Sequence, residues 1–116
     1  MVYTLSMEIQ SQTILNYQTS EGKQPFDDWY NTLKETKTRL IIRKRINRLA
    51  LGNFGDCKTL KDGLFEVRID YGPGYRLYFA QEGQQIILLL SGGDKSTQEV
   101  DIQKAKEYYD DYKSRT

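Results

Sequence analysis

The sequence contains no histidine, one cysteine and two prolines in 116 residues. Without histidine there is no imidazole to act as general acid or base, or as a zinc ligand. Cys57 has no second cysteine for an internal disulfide and no histidine for a catalytic pair, so a half-buried thiol at a strand edge is its simplest interpretation. The acidic residues are scattered without DxD-type spacing, which disfavours a two-metal nuclease. We therefore expect no metal and no cofactor.

Long apolar segments are also missing. The longest apolar run, Ile86 to Leu90, is far too short to cross a bilayer, and the N-terminal MVYTLSMEIQ lacks the pattern of a signal peptide. These features predict a cytoplasmic protein with no membrane partner.

The glycine segments GPG and SGGDKS match neither the P-loop nor the dinucleotide-binding fingerprint. The length, with 38% apolar and 28% charged residues, predicts a single ordered domain over residues 1–116.

The net charge is only +1, but the basic residues are unevenly distributed. Between Lys34 and Lys61 nine basic residues stand against two acidic ones, Glu35 and Asp56, a local excess of seven. Such an excess suits a polyanion or an acidic protein, although a solvated helix face is an equally simple interpretation. The candidate residues for binding RNA or the ribosome are Lys37, Arg43, Lys44, Arg45, Arg48, Lys58 and Lys61.

The hydrophobic periodicity predicts one strand, two helices, three strands and a last helix. The first strand lies within residues 7–17, and Pro25 is well placed to begin the first helix. A second helix over residues 38–51 has an apolar stripe for the core and an opposite basic face, free of contacts, with Lys44, Arg45 and Arg48. The strands cover residues 64–70, 75–81 and 85–91, the last covered on both faces. We therefore expect an α+β domain with a helix pair on a small, mostly antiparallel sheet.

Capping-box spacing of Ser96 and Glu99 marks the start of the last helix. Its apolar stripe of Ile102, Ala105, Tyr109 and Tyr112 is most simply packing.

The stretch EVRIDYGPGYRLYFA predicts a hairpin whose exposed face carries Arg68, Arg76 and Tyr78. A three-residue loop, Gly72 to Gly74, would pair Tyr71 with Tyr75, Arg68 with Tyr78 and Asp70 with Arg76. Lys95 follows on the neighbouring glycine loop.

Two interpretations of this cationic group remain open. Glu66 and Asp70 can compensate the cations in a cross-strand ladder of ion pairs without function. Alternatively, two arginines can grip a phosphate and offset the charge that develops as it is cleaved. In that case neighbouring cations would favour the neutral form of Lys95, which could then act as a base.

The segments GLFEVRIDYGPGYRLYFA and IILLLSGGDKSTQEVDIQKAKEYYDDY resemble the RelE/ParE toxin superfamily, specifically its HigB-like "addiction module killer" branch. The resemblance implies the toxin of a type II toxin–antitoxin system, a metal-independent endoribonuclease that cuts mRNA on the ribosome and inhibits translation. Arg76 matches the position of a catalytic arginine, Arg68 a further basic strand position, and Lys95 a loop that carries a basic catalytic residue. Lys95 is the first candidate for the general base, with Tyr78 and Glu66 as alternatives.

The resemblance also implies a cognate antitoxin, a helix-turn-helix protein in this branch, as partner. Relatives of the ParE type share the fold but inhibit DNA gyrase without cleaving anything, and fold alone does not separate the two activities. An inhibitor of that kind would more naturally use the tyrosines of the last helix, Tyr108, Tyr109 and Tyr112. A structural or adaptor protein on the same fold is the third possibility.

Overall fold

The structure, a computed structural model, describes residues 11–115. It confirms an α+β architecture that contains, in chain order, β1 (Thr13–Asn16), α1 (Pro25–Tyr30), α2 (Thr36–Ala50), β2 (Cys57–Thr59), β3 (Leu64–Ile69), β4 (Tyr75–Glu82), β5 (Ile86–Asp94) and α3 (Gln98–Arg115). The first strand is shorter than predicted, and residues 7–10 of that prediction lie outside the described residues. Strand β2 was not predicted, because three residues at a sheet edge are too few to show an apolar alternation.

The five strands form one sheet in the order β1-β5-β4-β3-β2. Strand β1 pairs with β5 in parallel, and the other three pairings are antiparallel. The prediction of an apolar strand covered on both faces is confirmed, since Ile87 to Leu90 of β5 are buried. Side chains alternate across a strand, so such a run requires a packing layer above and below the sheet.

Each face of the sheet has its own hydrophobic core. Helices α1 and α2 cover one face, where Phe26, Ile42 and Ile46 pack on Val67 and Leu77. Helix α3 covers the other face. There Ala105 and Tyr109, two residues of the predicted packing stripe, join Tyr17, Leu64, Tyr78, Ala80, Leu88 and Leu90. The expectation that the hairpin has an exposed polar face was therefore wrong, because α3 lies over most of it.

The start of α3 also differs from the expected capping box. Residues Lys95–Thr97 form a single 3₁₀ turn, and α3 begins at Gln98. Asp94 is the capping residue: its Oδ1 accepts hydrogen bonds from the Ser96 backbone N–H at 2.8 Å and from the Ser96 hydroxyl at 2.5 Å. An Asp side chain satisfies free N–H groups at a helix start as well as a serine does. The turn fixes the backbone of Lys95 directly after β5.

Among the helices within residues 11–115, none combines the length and apolar character that crossing a membrane requires.

Candidate phosphate site

The hairpin register places the two arginines of the predicted site directly opposite each other. Arg68 pairs with Arg76, and Ile69 pairs with Tyr75 at the end of the ladder. The predicted pairing of Arg68 with Tyr78 and of Asp70 with Arg76 was therefore wrong by two residues. A slip of two positions leaves every side chain on its own face, which is why the set of residues on this face was still predicted correctly.

A longer turn than expected causes this register. Five residues, 70–74, connect the strands, so Asp70 belongs to the turn and is not paired with Arg76. Gly74, with φ of +82°, accepts a hydrogen bond on its carbonyl from Nη1 of Arg76 at 2.9 Å. A Cβ at Gly74 would lie 3.3 Å from that nitrogen and 3.7 Å from Cβ of Lys95. The glycine therefore lets the turn, Arg76 and Lys95 come together.

Glu66 lies beneath the two arginines and is fully buried. Its Oε1 accepts a hydrogen bond from Nε of Arg68 at 3.2 Å, and its Oε2 is 3.7 Å from Nε of Arg76. Gln98, the first residue of α3, donates a further hydrogen bond to Oε2 at 2.8 Å. One carboxylate thus compensates two cations, as the ion-pair interpretation requires.

The two arginines differ in exposure, since 40% of the Arg68 side chain but only 11% of the Arg76 side chain is exposed. Nη1 and Nη2 of Arg68, and Nη2 of Arg76, make no hydrogen bond to any other residue that the structure describes. They border a cleft of about 300 Å³ whose lining residues are Asp56, Arg68, Ile69, Asp70, Gly74, Tyr75, Arg76 and Lys95. Asp56 and Asp70 are exposed, so solvent screens their charges more than that of Glu66. The arrangement presents two forked donors and one ammonium group to an anion.

A glycine near the end of β5, Gly93, allows close packing beside this cleft. A bulge between β4 and β5 shifts the register after Leu89, so that Gly93 pairs with Arg76 and Gly92 with Leu77. A Cβ at Gly93 would collide with the Asp101 carboxylate of α3. The Asp101 Oδ2 also accepts a hydrogen bond from the Thr97 hydroxyl at 2.5 Å, which fixes it beside the site.

Tyr78 lies below the cleft and not in it. Its side chain is fully buried under α3, and its hydroxyl has no hydrogen-bond partner within 3.5 Å among the described residues. Burial first, and then the negative charge of Glu66, raise the pKa of Tyr78 above its usual value. In this conformation Tyr78 has no surface with which to contact a substrate. Its candidacy as a catalytic residue rested on the expectation of an exposed face.

The predicted basic surface is mostly exposed, with one exception. Residues Lys37, Arg43, Lys44, Arg48, Lys58 and Lys61 are exposed. Arg45 is not free, because its guanidinium donates to the carbonyls of Arg68 at 3.0 Å, Phe54 at 3.2 Å and Asp56 at 3.4 Å. Burial lowers the pKa of Arg45. Arg45 thus joins α2 to the segment before β2 and to β3, and its prediction as part of a free basic face was wrong.

Aromatic contacts hold two of the other cations near the sheet. The Lys37 ammonium lies 5.7 Å from the ring centre of Tyr71, in the hairpin turn, and the Arg43 guanidinium lies 5.3 Å from that of Tyr30. Lys58 of β2 pairs with Glu66 in register and therefore belongs to the same face of the sheet as the arginines. Lys58 and, through Tyr71, Lys37 are the exposed cations that these contacts connect to the hairpin.

Other features of the described residues carry less chemistry. A larger opening of about 590 Å³, lined by Thr13, Glu82, Gln84, Gln85 and Ile86, lies at the opposite end of the sheet and has no cationic lining residue. No group of three or more cysteine, aspartate or glutamate side chains that could hold a metal ion occurs within residues 11–115. Cys57 is half-buried on the edge strand β2, as its sequence interpretation had it, and burial raises its pKa.

Sequence reasoning missed the contribution of α3 to the site. Gln98 and Asp101 reach the arginine face only because α3 folds back over the sheet. A signal was available in the sequence. Tyr78 and Ala80 share the face of Arg76 in their strand, and the neighbouring strand is apolar on both faces. Those positions already indicated a covering layer.

Comparison with known proteins identifies the family of this chain. Residues 28–110, which include the end of α1, α2, all of the cleft and most of α3, match the family model "Phage derived protein Gp49-like (DUF891)". The chain belongs to the Gp49-like family. This family is part of the RelE/ParE-like toxin superfamily and is associated with toxin–antitoxin systems.

A relative in Haemophilus influenzae (strain ATCC 51907 / DSM 11121 / KW20 / Rd) bears the name "Uncharacterized protein". It is 51% identical over 81 residues, which cover 70% of this chain and 82% of the relative. The Gp49-like membership supports the superfamily resemblance derived from GPGYR and GGDKSTQ. It also suggests an antitoxin as the partner of this chain.

Proposed function

We propose that this Gp49-like protein is the toxin of a type II system of the HigB-like branch, and that it cuts mRNA on the ribosome without a metal. The observation that carries the proposal is the direct pairing of Arg68 and Arg76, which line one cleft together with Lys95. Two forked cations opposite each other match a phosphodiester, whose two non-bridging oxygens share one negative charge.

The proposed reaction is an internal transesterification of RNA. A ribose 2′-oxygen loses its proton and attacks the adjacent phosphorus, the bond from phosphorus to the 5′-oxygen breaks, and that oxygen takes up a proton. The products are a 2′,3′-cyclic phosphate and a 5′-hydroxyl. Negative charge accumulates on the non-bridging oxygens in the transition state, where Arg68 and Arg76 stabilise it.

Lys95 is the proposed base, because it is the lysine in the lining of the cleft. Its amine would accept the proton of the 2′-hydroxyl as that oxygen attacks the phosphorus. Arginine keeps the charge but does not lose its proton under these conditions. Lys95→Arg should therefore bind RNA as the wild type does and cleave it slowly. A Lys95→Arg variant that cleaves at the wild-type rate would exclude Lys95 as the base.

Replacing Arg76 tests the proposal most directly. Arg76→Ala should lower ribosome-dependent cleavage by about 10² to 10³-fold, the usual effect of removing one group that stabilises transition-state charge. Glu66 keeps its shorter bonds to Arg68 and Gln98, so the variant should remain folded. Lys104→Ala, which removes an exposed cation of α3 to which no role is assigned, is the matched control. Cleavage at the wild-type rate by folded Arg76→Ala would remove Arg76 from the mechanism.

The same preparation distinguishes the alternative activities. New 5′-hydroxyl ends in mRNA after induction support the nuclease. Blocked DNA supercoiling with intact messages would identify a gyrase inhibitor, and harmless expression without antitoxin would favour a structural or adaptor protein. Two of the tyrosines that a gyrase inhibitor would use already make contacts within this protein. Tyr109 is buried, and Tyr108 stacks on Tyr17 with 5.3 Å between the ring centres.

The proposed partners follow from the charges around the cleft. Ribosomal RNA would contact the exposed cations Lys37, Arg43, Lys44, Arg48, Lys58 and Lys61, which suit a phosphate backbone. An antitoxin with a helix-turn-helix domain would neutralise the same surface with an acidic segment. Co-expression with that antitoxin should restore growth, and arrest that persists would argue against the pairing.

A further inference from the structure

Glu66 occupies a position in which it can either block the arginines or hold them in place. Its carboxylate is fully buried and contacts both guanidinium groups from the side of the sheet. Burial prevents it from touching RNA in this conformation, so it is neither a ligand for the substrate nor a base acting directly on it. Its role has to be exerted through the arginines.

The contact geometry distinguishes these two roles. Glu66 meets Arg68 and Arg76 at their Nε atoms, which lie on the inner edges of the guanidinium groups. Nη1 and Nη2 of Arg68 and Nη2 of Arg76 are left without partners among the described residues. A carboxylate that sealed the site would engage the outer, forked edges instead.

We propose that Glu66 is a positioning residue that holds the two arginines as one phosphate-binding fork. Like charges directly opposite each other in a sheet repel, and Arg68 and Arg76 are such a pair. The buried carboxylate offsets this repulsion, because it accepts a hydrogen bond from Nε of Arg68 and forms an ion pair with Nε of Arg76 at 3.7 Å. Gln98 fixes the carboxylate in turn through its 2.8 Å hydrogen bond. This proposal deepens the proposed nuclease function and, for its kinetic test, rests on it.

The kinetic test uses Glu66→Gln and Glu66→Ala in the full chain, with ribosome-bound mRNA as substrate. Loss of the fork should lower kcat on the order of 10²-fold for Ala and less for Gln, because small misplacements of positioning groups have effects of that size. KM should stay the same or fall, since a negative charge beneath the site has been removed. If Glu66 had only a structural role, its replacement would lower the stability of the protein but would not lower kcat while leaving KM unchanged or smaller.

The same variants expose the opposite role. If Glu66 only neutralised the arginines, its removal would free two cations and increase both binding and cleavage. A rate that rises or stays unchanged in folded Glu66→Gln would therefore overturn the proposal. Glu82→Gln is the matched control, because Glu82 is also a carboxylate of the hairpin strands that accepts a side-chain hydrogen bond, from Tyr109, but lies at the far end of β4.

A second readout does not depend on nuclease activity. The Nε–H proton of Arg68 should exchange slowly with solvent in the wild type, although 40% of the side chain is exposed, because it is bonded to Glu66. Nuclear magnetic resonance, with the signal assigned by Arg68→Lys, measures this exchange before and after addition of inorganic phosphate. Rapid exchange in the wild type would overturn the proposal even if neither Glu66 variant folds.

The two readouts also separate the hypotheses. Slow exchange in a wild-type protein that cuts no RNA would retain the fork and reject the nuclease. Rapid exchange in an active nuclease would reject the fork alone.

Discussion

Alkaline pH should destabilise this protein through the tyrosines packed between α3 and the sheet, and Tyr109 of α3 gives the clearest case. Its hydroxyl donates a 2.7 Å hydrogen bond to Oε2 of Glu82, and the side chain is 8% exposed. Burial first, and then the bond to Glu82 and its charge, raise the pKa of Tyr109 from 10.0 to about 12. The folded protein therefore retains this proton to a higher pH than the unfolded chain does.

The sign of the effect follows from this difference. The stabilisation is fully present below pH 10, the unfolded value, and is lost as the pH rises through about 12, the folded value. A difference of that size corresponds to at most about 2.7 kcal/mol in the free energy of unfolding, with about half of it lost at pH 11. Solvent near the half-exposed Glu82 reduces the figure.

The variant Tyr109→Phe tests this pH dependence of stability. At pH 8 the variant should be less stable than the wild type by about 1 kcal/mol, the usual net contribution of one hydrogen bond. Phenylalanine has no proton to lose, so the difference should shrink with pH and vanish near pH 11. Urea unfolding from pH 8 to 11, followed by circular dichroism, measures it. The other buried tyrosines titrate in both proteins and cancel in the comparison.

A stability difference that stays constant from pH 8 to 11 would refute the reasoning. Glu82→Gln provides an internal check, because without the carboxylate the pKa of Tyr109 should fall towards 10. The decline in stability over this pH range should then become shallower than in the wild type. A decline as steep as in the wild type, or steeper, would show that Glu82 is not a cause of the raised pKa of Tyr109.

Two further substitutions test the packing of α1 and α2. In Gly92→Ala the new Cβ would collide with the ring of Trp29, so the free energy of unfolding should fall by about 1 to 3 kcal/mol in denaturant titrations, the usual range for overpacking. An unchanged midpoint would show that Trp29 moves aside freely. Arg45→Ala should destabilise by about 2 to 4 kcal/mol, because it removes charged hydrogen bonds to three carbonyls, whereas Arg48→Ala at an exposed position should change stability by less than about 0.5 kcal/mol. Equal stability of the two variants would show that the hydrogen bonds of Arg45 do not stabilise the fold and that Arg45 belongs to the free basic face after all.

Local sequence signals determined most of the element order and the membership of each sheet face. Pro25 marks the start of α1, with Asp27 and Asp28 in its first turn, and the alternation in EVRI and YRLYFA fixes which side chains share a face. Such features depend on neighbours within one or two turns of chain. They survived even the two-residue error in the hairpin register, because side chains in a strand repeat every two residues.

The tertiary structure alone decided what covers each face and what each charge contacts. Sequence placed Glu66, Arg68 and Arg76 on one side of a hairpin and offered Glu66 as a counter-ion, but it also predicted that this side faces water. The return of α3 over the sheet buried Tyr78 and Glu66 and brought Gln98, 32 residues away, against the carboxylate. Arg45 likewise left the predicted basic face for carbonyls up to 23 residues distant. Contacts over such separations form only when whole elements pack, since the lowest free energy there is set by burial and charge compensation across the molecule and not by any local pattern.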